Sequence, residues 1–170
     1  SSNKETPFLV VLLDRIRQKY EEFRAHFPGA KIYYAVKANP GDELLALLRD
    51  LGSYFDIASI YELDKVLALE VSPERLSFGN TIKKARHIRE AYDKGVRLFA
   101  TDCEADIRNL AREAPGSRIF FRLLMDAVTS DSDWPLSRKF GCQPRMLTEL
   151  VALAADLGLD PYGVSFHVGS

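Results

Sequence analysis

Tyr54-Phe55-Asp56-Ile57, Arg75-Leu76-Ser77-Phe78, Arg97-Leu98-Phe99-Ala100 and Arg118-Ile119-Phe120-Phe121 are short β-rich runs, each followed by a helical pattern. Lys31-Ile32-Tyr33-Tyr34-Ala35-Val36 precedes them and Gly163-Val164-Ser165-Phe166 follows. The six runs start at 31, 54, 75, 97, 118 and 163, with intervals of 21 to 23 residues and a last interval of 45. A strand with its covering helix needs about this many residues, and strands alternating with helices predict a parallel sheet. Near-equal units favour an α/β fold of the (β/α)8 barrel kind over a doubly wound open sheet. A complete barrel takes about 250 residues. The expectation is therefore an incomplete, N-terminal part of a barrel with about six βα units.

Composition narrows the function classes. Of 170 residues, 46% are hydrophobic and 28% charged, ordinary globular values. Lys plus Arg is 23 and Asp plus Glu 24, so there is no basic excess of the kind nucleic-acid recognition leaves. No apolar run approaches the roughly 18 residues of a membrane span, and the polar start Ser1-Ser2-Asn3-Lys4-Glu5 does not read as a signal peptide. Two cysteines, Cys103 and Cys142, fit a reducing compartment and a cytoplasmic location. With three scattered histidines they offer no metal-ligand spacing, so no metal is expected.

The helices are legible from period and punctuation. Leu63, Val66, Leu67 and Glu70 fall at i, i+3, i+4, i+7, and Met146, Leu147, Leu150, Val151 and Ala154 make a fuller apolar stripe. Ser59 with Glu62, and Thr101 with Glu104, have capping-box spacing. Pro144 suits a first helical turn. Pro28-Gly29, Leu51-Gly52, Lys94-Gly95, Pro115-Gly116 and Leu157-Gly158 mark helix ends. An earlier strand, Phe8–Leu12, leads into a helix over 14–27, so residues 1–28 read as a lead-in and 29–170 as the barrel unit. The double interval holds Asp126 to Gly141, polar and without period, after a strand's C-terminal end, where α/β barrels place their chemistry.

Two stretches carry chemistry. Lys37 closes the first repeated strand in Tyr33-Tyr34-Ala35-Val36-Lys37-Ala38-Asn39-Pro40, where alternation puts Tyr33, Ala35 and Lys37 on one face. An inward lysine at a barrel rim is desolvated, which lowers its pKa and suits it to Schiff-base chemistry; the alternative is a lysine extended into water. His167 ends the last strand in Ser165-Phe166-His167-Val168-Gly169-Ser170. The Gly-Ser turn behind it offers N–H groups and a hydroxyl to an anion, or is an ordinary strand-to-loop turn.

Together, Tyr34-Ala35-Val36-Lys37-Ala38-Asn39 and Phe166-His167-Val168-Gly169-Ser170 resemble the signature segments of the fold-type III pyridoxal-phosphate decarboxylases, the family acting on ornithine, lysine, arginine and diaminopimelate. The resemblance runs from Thr6 onward. Phe55-Asp56-Ile57-Ala58-Ser59 with Glu62, Phe78-Gly79-Asn80-Thr81-Ile82-Lys83-Lys84, Arg122 with Asp126, and Arg138-Lys139-Phe140-Gly141 follow in family order. Leu12 departs from it, since the family often has an acidic residue there.

The resemblance implies pyridoxal 5'-phosphate as cofactor, with Lys37 matching the lysine that holds it as a Schiff base and His167 the histidine that stacks on its ring. Ser170 matches a phosphate-binding serine, Asp56 and Arg122 an aspartate and an arginine near the cofactor, and Lys139 a lysine at subunit contacts. It implies decarboxylation of a basic amino acid, most closely L-ornithine to putrescine, in a homodimer without nucleic-acid or membrane partners. Lysine or diaminopimelate decarboxylation, or a catalytically inactive homologue that holds cofactor or a partner, are the alternatives. The family's glycine-rich phosphate loop and the acidic partner of the pyridine nitrogen lie beyond Ser170, as does most of its β-sandwich domain, so the 170-residue chain alone is expected to be inactive. Three residues keep structural readings: Glu62 as the capping partner of Ser59, Asp56 as an ion-pair partner of Arg122, and Asn80 as a helix cap. Trp134 is expected to pack the long loop down, and His26 and His87 to lie solvated on helices.

Overall fold

Strand alternation splits each run into two faces, and the structure shows what each face does. The computed structural model describes residues 6–125 and 140–168. Within these, β1 (Tyr33–Ala35), β2 (Tyr54–Ile57), β3 (Leu76–Phe78), β4 (Leu98–Thr101), β5 (Arg118–Arg122) and β6 (Asp160–Ser165) lie side by side in chain order, every neighbour parallel. The crossovers carry α2 (Asp42–Asp50), α3 (Ile60–Ala68), α4 (Ala85–Asp93), α5 (Glu104–Glu113) and α6 (Leu147–Asp156), and α1 (Leu13–His26) precedes β1. The order never reverses, so there is no switch point of a doubly wound sheet. This is the wall of a barrel, as expected from the repeat.

On the helix side, Phe55, Ile57, Phe78, Phe99, Ile119 and Phe121 are buried to 1% exposure or less. They meet Leu44, Leu45 and Leu48 of α2, Leu63 and Val66 of α3, Ile88 of α4, and Ile107 and Leu110 of α5 in one core. Phe78 and Phe99 are register partners and stack at 6.1 Å. Each such side chain contributes about 1.5–3 kcal/mol by leaving water. The opposite face carries Tyr54 and Asp56 of β2, Ser77 of β3, and Arg118, Phe120 and Arg122 of β5. Residues on this face bring polar and charged groups to the concave side of the wall.

At the strands' N-terminal ends the helices finish, leaving carbonyls without intrahelical partners. Arginines answer them. Arg75 Nε donates to Ser53 O at 3.0 Å and Nη2 to Arg49 O at 3.0 Å; Arg97 Nη1 donates to Tyr92 O at 2.6 Å, and Arg49 Nη1 to Leu69 O at 2.9 Å. Cations at helix C-termini are also favoured by the helix dipole. This accounts for the arginines that open the repeated runs at 75 and 97.

Several sequence expectations shift. Phe8–Leu12 is not a strand: no described segment pairs with it, and Leu9 is 82% exposed. An isolated strand leaves its N–H and C=O groups without ladder partners, so apolar composition alone does not make one. The first repeated strand is only Tyr33–Ala35, because Val36–Ala38 wind into a 3-10 turn. The last begins three residues early, at Asp160, and includes Pro161, tolerated in a strand paired on one side here. Thr101 does not cap α5; β4 runs through it, Cys103 takes the N-cap position, and Glu104 pairs with Arg108 instead. Pro144 opens a 3-10 turn ahead of α6.

Among the described residues β1 and β6 each have one neighbour only. An open first edge suggests bared apolar residues over 31–36, but Val36 is fully buried and Tyr34 packs on the core. The last strand does bare them: Val164 is 56%, Phe166 58% and Val168 77% exposed. Such edges recruit other chains. Sedimentation of the isolated 170-residue chain at tens of micromolar should show association, weakened by Val164→Lys; a compact monomer would mean the edge is not sticky.

Candidate functional site

The polar face converges at the strands' C-terminal ends. Asp56 on β2 lies beside Ala35 of β1 and Ser77 of β3 in register. Ser77 Oγ donates to Asp56 Oδ1 at 2.6 Å. Burial pushes Asp56 up to about 6, against the Ser77 hydrogen bond and the charges of Lys37 and, more weakly, Arg122, with Glu62 adding to the rise. The expected ion pair with Arg122 is absent: the carboxylate takes a hydroxyl, and the Arg122 guanidinium lies over the Phe140 ring, 5.0 Å from its centroid. Arg122 ends β5, opposite Ser165 of β6, and two residues on stands His167. Partial burial, then Arg122 and Lys37, hold the His167 imidazole below its ordinary pKa, which keeps it neutral at pH 7. Asp56, Ser77, Gly79, Arg122, Ser165 and His167 all line a cleft of about 720 Å³.

Lys37 sits in the 3-10 turn just past β1 rather than at its last strand position, and it is exposed. The burial expected of an inward lysine is therefore not supplied by the described residues. The turn forms because Asn39 Oδ1 accepts from Gly41 N at 2.9 Å while Tyr34 Oη donates to Asn39 O at 3.2 Å, bending the chain toward α2. Lys37 still faces the group: its charge is felt by both Asp56 and His167. Ser170, Lys139 and Trp134 lie outside the described residues.

The structural readings resolve unevenly. Glu62 does serve the start of α3: its N–H donates to Ser59 Oγ at 3.3 Å, and its carboxylate accepts from Ala58 N at 2.6 Å, one residue earlier than a standard capping box. Asn80 does not cap α4, which starts at Ala85; Asn80 Oδ1 instead accepts from Ile82 N at 3.2 Å. His26 is exposed and His87 half-buried. No cluster of candidate metal ligands occurs among the described residues, and none of their helices is long and apolar enough to cross a membrane.

Two contacts escaped sequence reasoning. Ser77, a lone polar residue between Leu76 and Phe78, was the only signal for the partner of Asp56. Gly79 stands so close that a Cβ there would collide with both Asp56 carboxylate oxygens. A third contact ties the long loop's base. Gly141 N donates to Asp102 Oδ2 at 2.9 Å, Cys142 N to Arg122 O at 2.8 Å, and Leu124 N to Cys142 O at 2.8 Å. Gly141, at φ 107°, has no room for a side chain against the Leu123–Leu124 backbone.

The model of the family described as pyridoxal-dependent decarboxylase, pyridoxal binding domain, matches residues 13–170. The chain belongs to this family. The pyridoxal-binding chain is 38% identical over 165 residues to a lysine/ornithine decarboxylase of Selenomonas ruminantium, covering 97% of itself and 42% of that protein. It is 35% identical over 163 residues to antizyme inhibitor 2 of Xenopus laevis, covering 96% of itself and 35% of that protein. Its fold superposes on a crystal structure of an SrLDC variant in complex with PLP with a TM-score of 0.92 at 37% identity, covering 99% of this chain and 43% of the other. The chain thus spans about two-fifths of the length of such relatives. The residues fit a pyridoxal group: a carboxylate, a guanidinium and a neutral imidazole line one cleft, and the exposed Lys37 amine stands near enough for its charge to act on the first and the last.

Asp56 carries a stability signature. Its folded pKa, about 6, lies above the unfolded value near 3.8. Between these pH values the folded state binds the extra proton, so stability falls as pH rises through the window and the loss is complete above pH 6. Asp56→Asn, which keeps an acceptor for Ser77, should raise the melting temperature at pH 7, and the gain should shrink toward pH 4. An equal effect at both ends would contradict the burial of this charge. Gly79→Ala should cost about 1–3 kcal/mol in unfolding experiments, while Gly163→Ala, with nothing near its Cβ position, should stay within about 0.5 kcal/mol.

Proposed function

We propose that this chain is the cofactor-holding barrel part of a decarboxylase of basic amino acids, acting most closely on L-ornithine to form putrescine. The observation that supports the reading is the convergence of Asp56, Arg122 and His167 on one cleft past the ends of β2, β5 and β6, with Lys37, just past β1, near enough for its charge to act on Asp56 and His167. The proposed unit is the barrel from residue 29, with 1–28 as its lead-in, working in a cytoplasmic homodimer of the complete protein.

Pyridoxal phosphate, when bound, supplies an electron sink for the charge left as carbon dioxide departs. Lys37 offers its amine for covalent attachment from a turn pinned by Asn39. His167, held neutral, presents a flat ring without adding positive charge to the site. Arg122 places its guanidinium at the rim, over the Phe140 ring. Asp56 stores a proton at mildly acidic pH and releases it near neutrality, so its charge state is set by the burial around it. Ser170 is proposed for the phosphate on the resemblance of Phe166-His167-Val168-Gly169-Ser170 to the family's segment.

Borohydride reduction of the chain with added pyridoxal phosphate, followed by digestion and mass analysis, should place the label on Lys37. A label on Lys31, Lys83 or Lys139 with Lys37 clean would overturn the assignment. In the complete protein, Lys37→Ala should abolish carbon dioxide release from ornithine while leaving measurable cofactor affinity. A preference for lysine or diaminopimelate would correct the substrate. The isolated 170-residue chain should show no turnover approaching about 1 per second. No release by the complete protein from any of these substrates would favour the inactive, partner-binding alternative.

A further inference from the structure

Lys83 has no exposed side-chain surface, and Asp106 retains 7%. Lys83 Nζ donates to Asp106 Oδ2 at 2.7 Å, to Ala100 O at 2.7 Å and to Asn80 O at 3.0 Å, with Thr81 O at 3.4 Å. Its three protons are fully engaged. The oxygens come from three places: the segment after β3, the strand β4 and the helix α5. Burial lowers the Lys83 pKa and raises that of Asp106, each opposed by the partner's charge. A buried pair of this kind contributes little net stability compared with well-packed apolar residues. What it does supply is a fixed position for the segment it grips.

That segment, residues 79–84, has no helix or strand of its own. Its first residue, Gly79, continues the ladder by donating to Ile57 O at 3.0 Å, and its backbone forms the wall against the Asp56 carboxylate. Asn80, the next residue, supplies one of the carbonyls that Lys83 holds. A pull on Lys83 therefore reaches the Asp56 wall through a single peptide unit.

We propose that Lys83 and Asp106 form a buried charged latch that clamps residues 79–83 against Asp56, making Lys83 a positioning residue for the site carboxylate. The inference rests on the reading of Asp56 as part of the cofactor site, but its action does not need the cofactor. The charged groups acting on Asp56 are Lys37, Glu62 and Arg122, with the Ser77 hydroxyl hydrogen-bonded to it. None belongs to the latch, so the latch works by packing and by keeping water out.

The test uses Lys83→Met/Asp106→Leu in the full chain, which removes both charges and leaves neither orphaned. The variant should fold with a melting temperature close to that of the parent. The carboxyl carbon of Asp56, followed by 13C NMR without cofactor and assigned with Asp56→Asn, should titrate lower by about one pH unit as water reaches it. Exchange of the Gly79 amide should quicken by about tenfold or more. A folded double variant with both readings unchanged would overturn the latch. Asp106→Asn, which keeps the shape and an acceptor, serves where the double variant does not fold; it should shift Asp56 in the same direction by less, and no shift would equally overturn the proposal. Cofactor affinity of Asp56→Asn is a separate measurement, so the latch and the assigned function can fail independently.

Discussion

A parallel strand presents two faces, and only one can be given to the core. In this chain the helix-facing side holds Phe55, Ile57, Phe78, Phe99, Ile119 and Phe121, packed on the covering helices. Burying that side anchors the sheet, and the ladder then carries the other side's residues to fixed positions. Asp56, Ser77, Arg122 and, further along, His167 occupy that other side. The site is thus a consequence of the packing on its back, since each polar residue is one alternation away from a buried apolar one.

The two ends of the strands are used differently. At the N-terminal ends, arginines neutralise helix carbonyls and contribute to the framework. At the C-terminal ends, burial raises the pKa of two carboxylates, Asp106 and Asp56, but their partners differ. Asp106 is given a buried ammonium at 2.7 Å, so its charge is compensated. Asp56 is given a hydroxyl and only distant cations, so its charge is left costly. A group whose environment keeps it poised near pH 6 is a poor structural element and a useful chemical one. The contrast supports the proposal that function resides at the C-terminal ends.

The loop connections turn this poise into geometry. Gly79 lets backbone approach Asp56 where any side chain would collide. Gly141 lets the returning end of the long loop seat itself on β5, beside Arg122 and Phe140. Both glycines follow or adjoin residues of the site, and both closures tie back to the end of β4, through Lys83 to Ala100 and through Gly141 to Asp102. The end of β4, which carries none of the assigned site residues, therefore braces the segments on either side.

Much of this was legible in the chain as written. The 21-to-23-residue interval announces a strand and a helix each time, because that is the length such a unit requires, and it located the sheet and its winding. Lys37 and His167 stand out in the sequence because each follows a strand in a distinctive local context, just past β1 and β6. The failures have local causes as well. Phe8–Leu12 has strand composition but no partner edge among the described residues, and pairing is a property of two segments. Lys37 left the strand face because Asn39 and Gly41 close a turn just after it. The Asp56–Arg122 pairing was plausible from charge alone, yet Ser77 lies nearer in the ladder and Phe140 claims the guanidinium. Sequence by itself determined which residues could face the core and which could carry charge, since period and polarity are one-dimensional. Only the tertiary structure decided which polar groups meet, because Lys83 with Asp106, 23 positions apart, and Asp56 with Ser77, 21 apart, are brought together by register and packing.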